Sequence, residues 1–275
     1  MSEKGTAFVP GHITGFFSTQ PDDDPTKAGS RGAGLALTDG VTTTVTPAPE
    51  TVIEIDGERV HVAPVERVLG ALRVSARVSA ESALPLGSGF GVSGALALGT
   101  ALAANRAFDR RLSTNELVTI AHGAEVEAGT GLGDVVAQAQ GGIPIRLEPG
   151  APPHGTLDSI PARVGIEYQT FGEVSTEEVL ADNTDAIDDA GRTALSRIVE
   201  EPTLTSFMFA SRHFARETGL LTTEVRDAVR AVADAGGQAS MAMLGNTVFA
   251  LGTGLSDAGY DPNRCATHPA GATMK

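Results

Sequence analysis

Three glycines alternate with other residues in Pro85-Leu86-Gly87-Ser88-Gly89-Phe90-Gly91-Val92-Ser93. Glycine tolerates left-handed and crowded backbone, so such a run can approach a ligand closely. The Ala/Leu-rich stretch from Ser93 to Asn105 reads as a buried helix. Its first turn would turn unpaired N–H groups and the positive end of the helix dipole toward the loop. The combination suits a phosphate group, with Ser88 and Ser93 adding hydroxyls for phosphate oxygens or Mg2+. A tight strand–helix turn without a ligand fits the same residues. Two other phosphate motifs are excluded. No Lys lies near the loop, so G-x-x-x-x-G-K-S/T fails. The spacing is not G-x-G-x-x-G, and no parallel βαβ pattern surrounds it.

A second set of chemical residues lies between Glu125 and Arg146. Asp134 follows the Gly-rich turn at 129–133 and precedes Gly141-Gly142, a place where an Asp also caps a helix. Glu125, on the preceding helix, is a candidate Mg2+ ligand, because Mg2+ takes one or two carboxylates plus phosphate oxygens. A solvated helix face accounts for it equally, and Glu127 has the same chemistry. Arg146 ends an apolar strand, where a charge needs a partner. A substrate carboxylate gripped by the guanidinium fork would serve, and so would a structural ion pair.

The loop Pro85 to Ala95 resembles the second motif of the GHMP kinases, usually P-x-G-x-G-L-G-S-S-A-A, with departures at Phe90, Val92 and Gly94. Val92 replaces a Ser and leaves Ser93 as the retained hydroxyl. Val9-Pro10-Gly11-His12-Ile13-Thr14 resembles the first motif of that family. Ser240-Met241-Ala242-Met243-Leu244-Gly245-Asn246 resembles the third, with fewer glycines. The resemblance spans nearly the whole chain. It implies an α+β fold in two domains, a ribosomal protein S5 domain 2-like N-terminal half (1–155) and a ferredoxin-like C-terminal half (156–275). It also implies ATP and Mg2+ as cofactors, a small-molecule hydroxy acid as acceptor, and a homodimer by analogy. On this resemblance Pro85, Gly87, Ser88, Gly89, Phe90, Gly91 and Ser93 hold the nucleotide. Ser93 and Glu125 hold the metal, and the family favours Glu125 over Glu127. Asp134 lies beside the acceptor hydroxyl. His12, Thr14 and Arg146 face the substrate. Mevalonate kinases carry a Lys near the position of His12, so either substrate binding or a structural hydrogen bond fits His12. Phe8 to Phe17 and Gly129 to Gln138 are most similar to the pantoate kinases of archaea, which implies pantoate as acceptor and a place in the route to coenzyme A. Kinases of homoserine, mevalonate or shikimate would share the nucleotide loop. A nucleotide-binding sensor on the same fold would have lost Glu125 and Asp134, which are both present.

The elements that must position these residues follow from pattern. Thr6 to Val9 reads as a strand stopping at Pro10-Gly11. Leu35 to Leu37 and Val41 to Val45 read as strands around an Asp39-Gly40 turn, and Ser18 to Gly32 as a mobile loop. Asp56-Gly57 signals a hairpin. Ser113-Thr114-Asn115-Glu116 matches a capping box, and the helix it starts should end at Gly129. Ala151 to Gly155 reads as a connector. Helices are expected at about 185–199, 204–216 and 224–235, a hairpin around Gly245-Asn246, and poor order from Ser256 onward.

Composition sets the class. The 275 residues are 41% apolar with no Trp, so the core must be aliphatic. Acids outnumber bases 34 to 20, for a net charge of −14, which disfavours nucleic acid and anionic membranes as partners. Only Lys4, Lys27 and Lys275 are lysines. That balance predicts a salt-adapted surface, with greater stability in molar KCl than in dilute buffer. One Cys, no apolar leader in Met1 to Gly5 and no run long enough to span a bilayer predict a cytoplasmic protein.

Overall fold

The computed structural model describes residues 4–172 and 184–275, so Met1–Glu3 lie outside the described residues. The chain begins with β1 (Gly5–Gln20), β2 (Gly29–Pro47), the short pair β3 (Val52–Ile55) and β4 (Glu58–Arg59), α1 (Ala63–Leu72) and β5 (Ala76–Ser82). Three helices follow: α2 (Val92–Ala107), α3 (Thr114–Ala128) and α4 (Asp134–Gln140). Strands β6 (Ile143–Glu148), β7 (Thr156–Ile160) and β8 (Gly165–Thr170) come next. Helices α5 (Thr184–Glu200), α6 (Leu204–Glu217) and α7 (Thr223–Asp234) precede β9 (Ala239–Ala242) and β10 (Thr247–Leu251). A short α8 (Gly254–Asp257) leads to β11 (Asn263–Ala266) and β12 (Thr273–Met274).

Two sheets carry the α+β architecture. The larger has the order β12-β1-β2-β5-β3-β4, with β6 on β2 and β7 on β6. Among the described residues only β3 and β5 run parallel, and α1 is the crossover between them. The smaller sheet is antiparallel, ordered β11-β8-β10-β9. Helix α2 explains how the first layer is sealed. Thirteen of its sixteen residues are buried, because it lies on β1 and β2 with α1, α3 and α4 around it. The far end of β1 leaves this layer and packs Phe16 and Phe17 against Phe207 and Phe214 of α6. A single strand therefore runs through both halves.

The capping box forms as expected. Ser113 Oγ accepts the Glu116 N–H, the Glu116 carboxylate accepts the Ser113 N–H, and Gly129 ends α3 in the left-handed region. Other expectations need correction. The strand at Thr6 does not stop at Pro10-Gly11; the register shifts there and β1 continues to Gln20. A bulge absorbs the proline's missing N–H. Asp39-Gly40 is not a turn, since Gly40 pairs with Pro10 opposite that bulge and β2 runs through. Within 18–32, Ser18–Gln20 continue β1 and Gly29–Gly32 begin β2, and the connection at 21–28 is tied by Asp24. Its carbonyl accepts the Lys27 and Ala28 N–H groups, and its carboxylate accepts that of Thr26. The stretch beyond Ser256 is ordered by pairing. β11 joins β8, β12 joins β1, and the His268 N–H donates to the Ala36 carbonyl at 2.8 Å. Among the described residues no helix is long and apolar enough to cross a membrane.

Candidate active site

The glycine loop leaves β5 with Gly87, Gly89 and Gly91 all in the left-handed region. Gly91 is required twice over. Its φ is 61°, and a Cβ there would lie 3.0 Å from Asp134 Cγ. The first hydrogen bond of α2 runs from the Ala95 N–H to the Gly91 carbonyl, so the N–H groups of 92–94 point out of the helix end. Three bonds hold the loop from outside. The His12 N–H donates to the Phe90 carbonyl at 2.9 Å, Gln138 Nε2 to the Gly91 carbonyl at 2.8 Å, and the Thr247 hydroxyl to the Ser88 carbonyl at 2.8 Å. A cavity of about 110 Å³ lies against the loop, lined by Gly87, Gly89, Phe90, Gly91, Ser93 and Asp134 with Thr14 and Thr130. Pro85 is exposed and outside this lining. Ser88 is buried beneath it, its hydroxyl directed to the Leu86 carbonyl at 3.3 Å. The Phe90 ring packs edge-on against Tyr168 in the core, so this residue offers its backbone to the cavity.

Asp134 opens α4, and its carboxylate accepts a 2.7 Å hydrogen bond from Nδ1 of neutral His12. His12 is fully buried, whereas the Asp134 side chain keeps 22% exposure. Burial holds His12 below the usual imidazole range, and Arg146 adds to this against the pull of Asp134. Burial alone would raise Asp134, but the bond from His12 and the charge of Arg146 hold it below the usual carboxylate range. The pair is therefore an anionic carboxylate oriented by a neutral imidazole. A second cavity of about 170 Å³ adjoins, lined by Thr14, Phe17, Ser30, Asp134, Arg146 and the 131–133 turn. Arg146 is 2% exposed, and its Nη1 has no partner. Its Nε reaches only the Ser30 carbonyl at 3.4 Å. A buried guanidinium with an orphan donor facing a cavity is suited to a ligand carboxylate. The space suits a small acid, being below the range of drug-sized pockets.

Glu125 lies on α3 and is 2% exposed. It accepts the Thr130 hydroxyl at 2.9 Å. Burial pushes its carboxyl up to about 7; the Thr130 and Ser93 hydroxyls oppose this, and the Asp134 charge reinforces it. Gly131 sits so close that a Cβ would come within 2.3 Å of Glu125 Oε2. Glu127, by contrast, is outside and pairs with Arg67 at 2.8 Å. A cation that took Glu125 and Ser93 would relieve the repulsion between Glu125 and Asp134. Among the described residues no three His, Cys, Asp or Glu side chains cluster to bind a metal unaided.

The structure thus brings Thr14, Gly87, Gly89, Phe90, Gly91, Ser93 and Asp134 to one cavity, and Thr14, Asp134 and Arg146 to its neighbour. His12 and Glu125 support them from behind. Sequence reasoning missed Gln138, Thr130 and Leu244. Gln138 falls four residues after Asp134, so both reach Gly91 from one face of α4. That spacing was available as a signal. Leu244, which lines both cavities at φ 63°, lies in the stretch Ser240–Asn246 that resembles the third motif, but the resemblance gave it no role.

A sequence model of the GHMP kinases N terminal domain matches residues 61–142. The pantoate kinase of Methanospirillum hungatei is 36% identical over 256 residues, covering 90% of this chain and 87% of that one. The pantoate kinase of Thermococcus kodakarensis is 37% identical over 269 residues, covering 89% and 86%. A solved structure described as a phosphotransferase related to the CoA biosynthesis pathway superposes with a TM-score of 0.87 at 31% identity, covering 99% of each chain.

Proposed function

The chain belongs to the GHMP kinases and, within them, to the pantoate kinase family, and from that premise we propose that it transfers the γ-phosphoryl group of ATP to the 4-hydroxyl of pantoate, giving 4-phosphopantoate for coenzyme A synthesis. The observation that carries this reading is the meeting of two cavities at one anionic carboxylate, Asp134. The loop amides and the start of α2 take the nucleotide phosphates on one side. Arg146 takes the pantoate carboxylate on the other. The acceptor hydroxyl then lies between Asp134 and the γ-phosphorus.

As the hydroxyl oxygen bonds to phosphorus, the bridging bond to the β-phosphate breaks and ADP leaves. Asp134 orients the hydroxyl and takes its proton. Its low affinity for protons suits a reaction that depends on positioning more than on early deprotonation. His12 keeps the carboxylate aimed. Glu125 and Ser93 would hold Mg2+, a cation that takes carboxylate and hydroxyl oxygens. When bound, the cation would neutralise charge on the phosphates. The same reading supports a cytoplasmic protein and a homodimer of the family type.

Replacing Asp134 by Asn keeps the shape and removes the proton acceptor. It should lower kcat by at least about 100-fold, the lower end for a general base, with ATP affinity nearly unchanged. A kcat within a few-fold of the parent would overturn the role given to Asp134.

A further inference from the structure

Helices α6 and α7 part above β9 and leave a cavity of about 630 Å³ away from the catalytic cleft, within the size range of small-molecule sites. Ala215, Leu221, Val229 and Met241 give it apolar walls, and Arg212, Arg216, Arg226 and Arg230 surround them. The chain carries 34 acids against 20 bases, yet none of these four guanidiniums pairs with a carboxylate among the described residues. Arg226 donates only to the Leu221 carbonyl, at 3.2 Å. Burial and the neighbouring Arg216 hold Arg212 below its usual range, so like charges face one another. A second observation is independent of charge. The Ser240 hydroxyl, 1% exposed, belongs to the cavity lining and has no partner.

We propose that this cavity binds a small organic phosphate with an apolar body. Several forked donors offer more hydrogen bonds than a carboxylate accepts and match the oxygens of a phosphate. The walls take the apolar body, and Ser240 meets a polar group on it. Against a net charge of −14, this basic patch is a local concentration of positive charge. The site also communicates with the cleft. β9 leads directly to Met243, whose N–H donates to the Thr14 carbonyl at 2.9 Å and which lines the loop cavity. On the other face of α6, Ser211 and Phe207 press against Gly15.

The test uses the full chain with saturating ATP, so that the nucleotide site is filled, and anilinonaphthalene sulfonate as fluorescent probe. Octyl phosphate should displace the probe from one site at least tenfold more tightly than octan-1-ol, octanoate or inorganic phosphate. The double variant Arg216→Gln/Arg230→Gln changes two exposed positions and should weaken octyl phosphate at least tenfold. Equal displacement by octan-1-ol or octanoate would overturn the proposal. So would unchanged affinity in the variant, or a dimer that the variant dissolves with no octyl phosphate bound to the parent. Saturating octyl phosphate should also shift the KM for ATP at least twofold in the parent and not in the variant. An unchanged KM in the parent would overturn the communication.

Discussion

The catalytic cleft and the cavity between α6 and α7 both rely on arginine, in opposite ways. In the cleft a single Arg146 is buried and faces Asp134, with His12 and Glu125 packed close by. In the cavity four arginines stand near the surface with no acid opposite. Water and salt reach the second group and not the first. Buried charges interact strongly and shift one another's protonation, whereas exposed ones are screened within about 10 Å at 0.1 M salt. The cleft should therefore respond to pH, and the outer cavity to ionic strength.

The largest effect should come from removing the buried charge. Arg146→Gln should raise the KM for pantoate by roughly 100-fold, since loss of one partner from a buried charge-assisted contact costs on the order of 2–3 kcal/mol. The KM for ATP should stay within a few-fold, because Arg146 lines only the second cavity. Parallel changes in both constants would assign Arg146 to structure and not to substrate.

Next comes Glu125. Its carboxyl titrates at about 7 in the folded chain, against an ordinary 4.5. Between those values the folded state holds the proton and the unfolded state has lost it. The stability involved is complete below about pH 4.5 and declines as pH rises through 7. The gap corresponds to roughly 3 kcal/mol. Urea unfolding without divalent ions should show this decline between pH 5 and pH 8 in the parent and lose it in Glu125→Gln. An identical slope in the variant would place the titration elsewhere.

The smallest effect sharpens the contrast directly. Raising KCl from 0.1 to 1 M should weaken octyl phosphate binding about tenfold while leaving the KM for pantoate within about threefold. The reverse order would mean that the cleft charges are the screened ones.

How much of this was legible in the sequence follows from the range of each interaction. The glycine loop and the capping box at Ser113 are local, and their residues announce the backbone they require. Helix α1 is legible as well: Val65, Val68, Leu69 and Leu72 follow helical spacing after Pro64. The kinks at Pro10 and Gly40 looked like strand ends because their pairing lies in the partner strand. The His12–Asp134 bond joins residues 122 apart, so no spacing rule could expose it. The arginine cavity is hidden for the same reason, since its four charges come from two helices whose spacing is set only by packing over β9. The residues that bind through backbone geometry were readable, and so were Asp134, Glu125, Arg146 and His12 one at a time; which of them pair was not.

The most direct measurement is ATP consumption by the full chain, in high KCl, offered pantoate, homoserine, mevalonate or shikimate at equal concentration. The cleft geometry and the family predict turnover with pantoate, a product phosphorylated at its 4-hydroxyl, and at least tenfold lower kcat/KM with the other three. Equal or greater turnover with one of those acids, or none with any, would contradict the account.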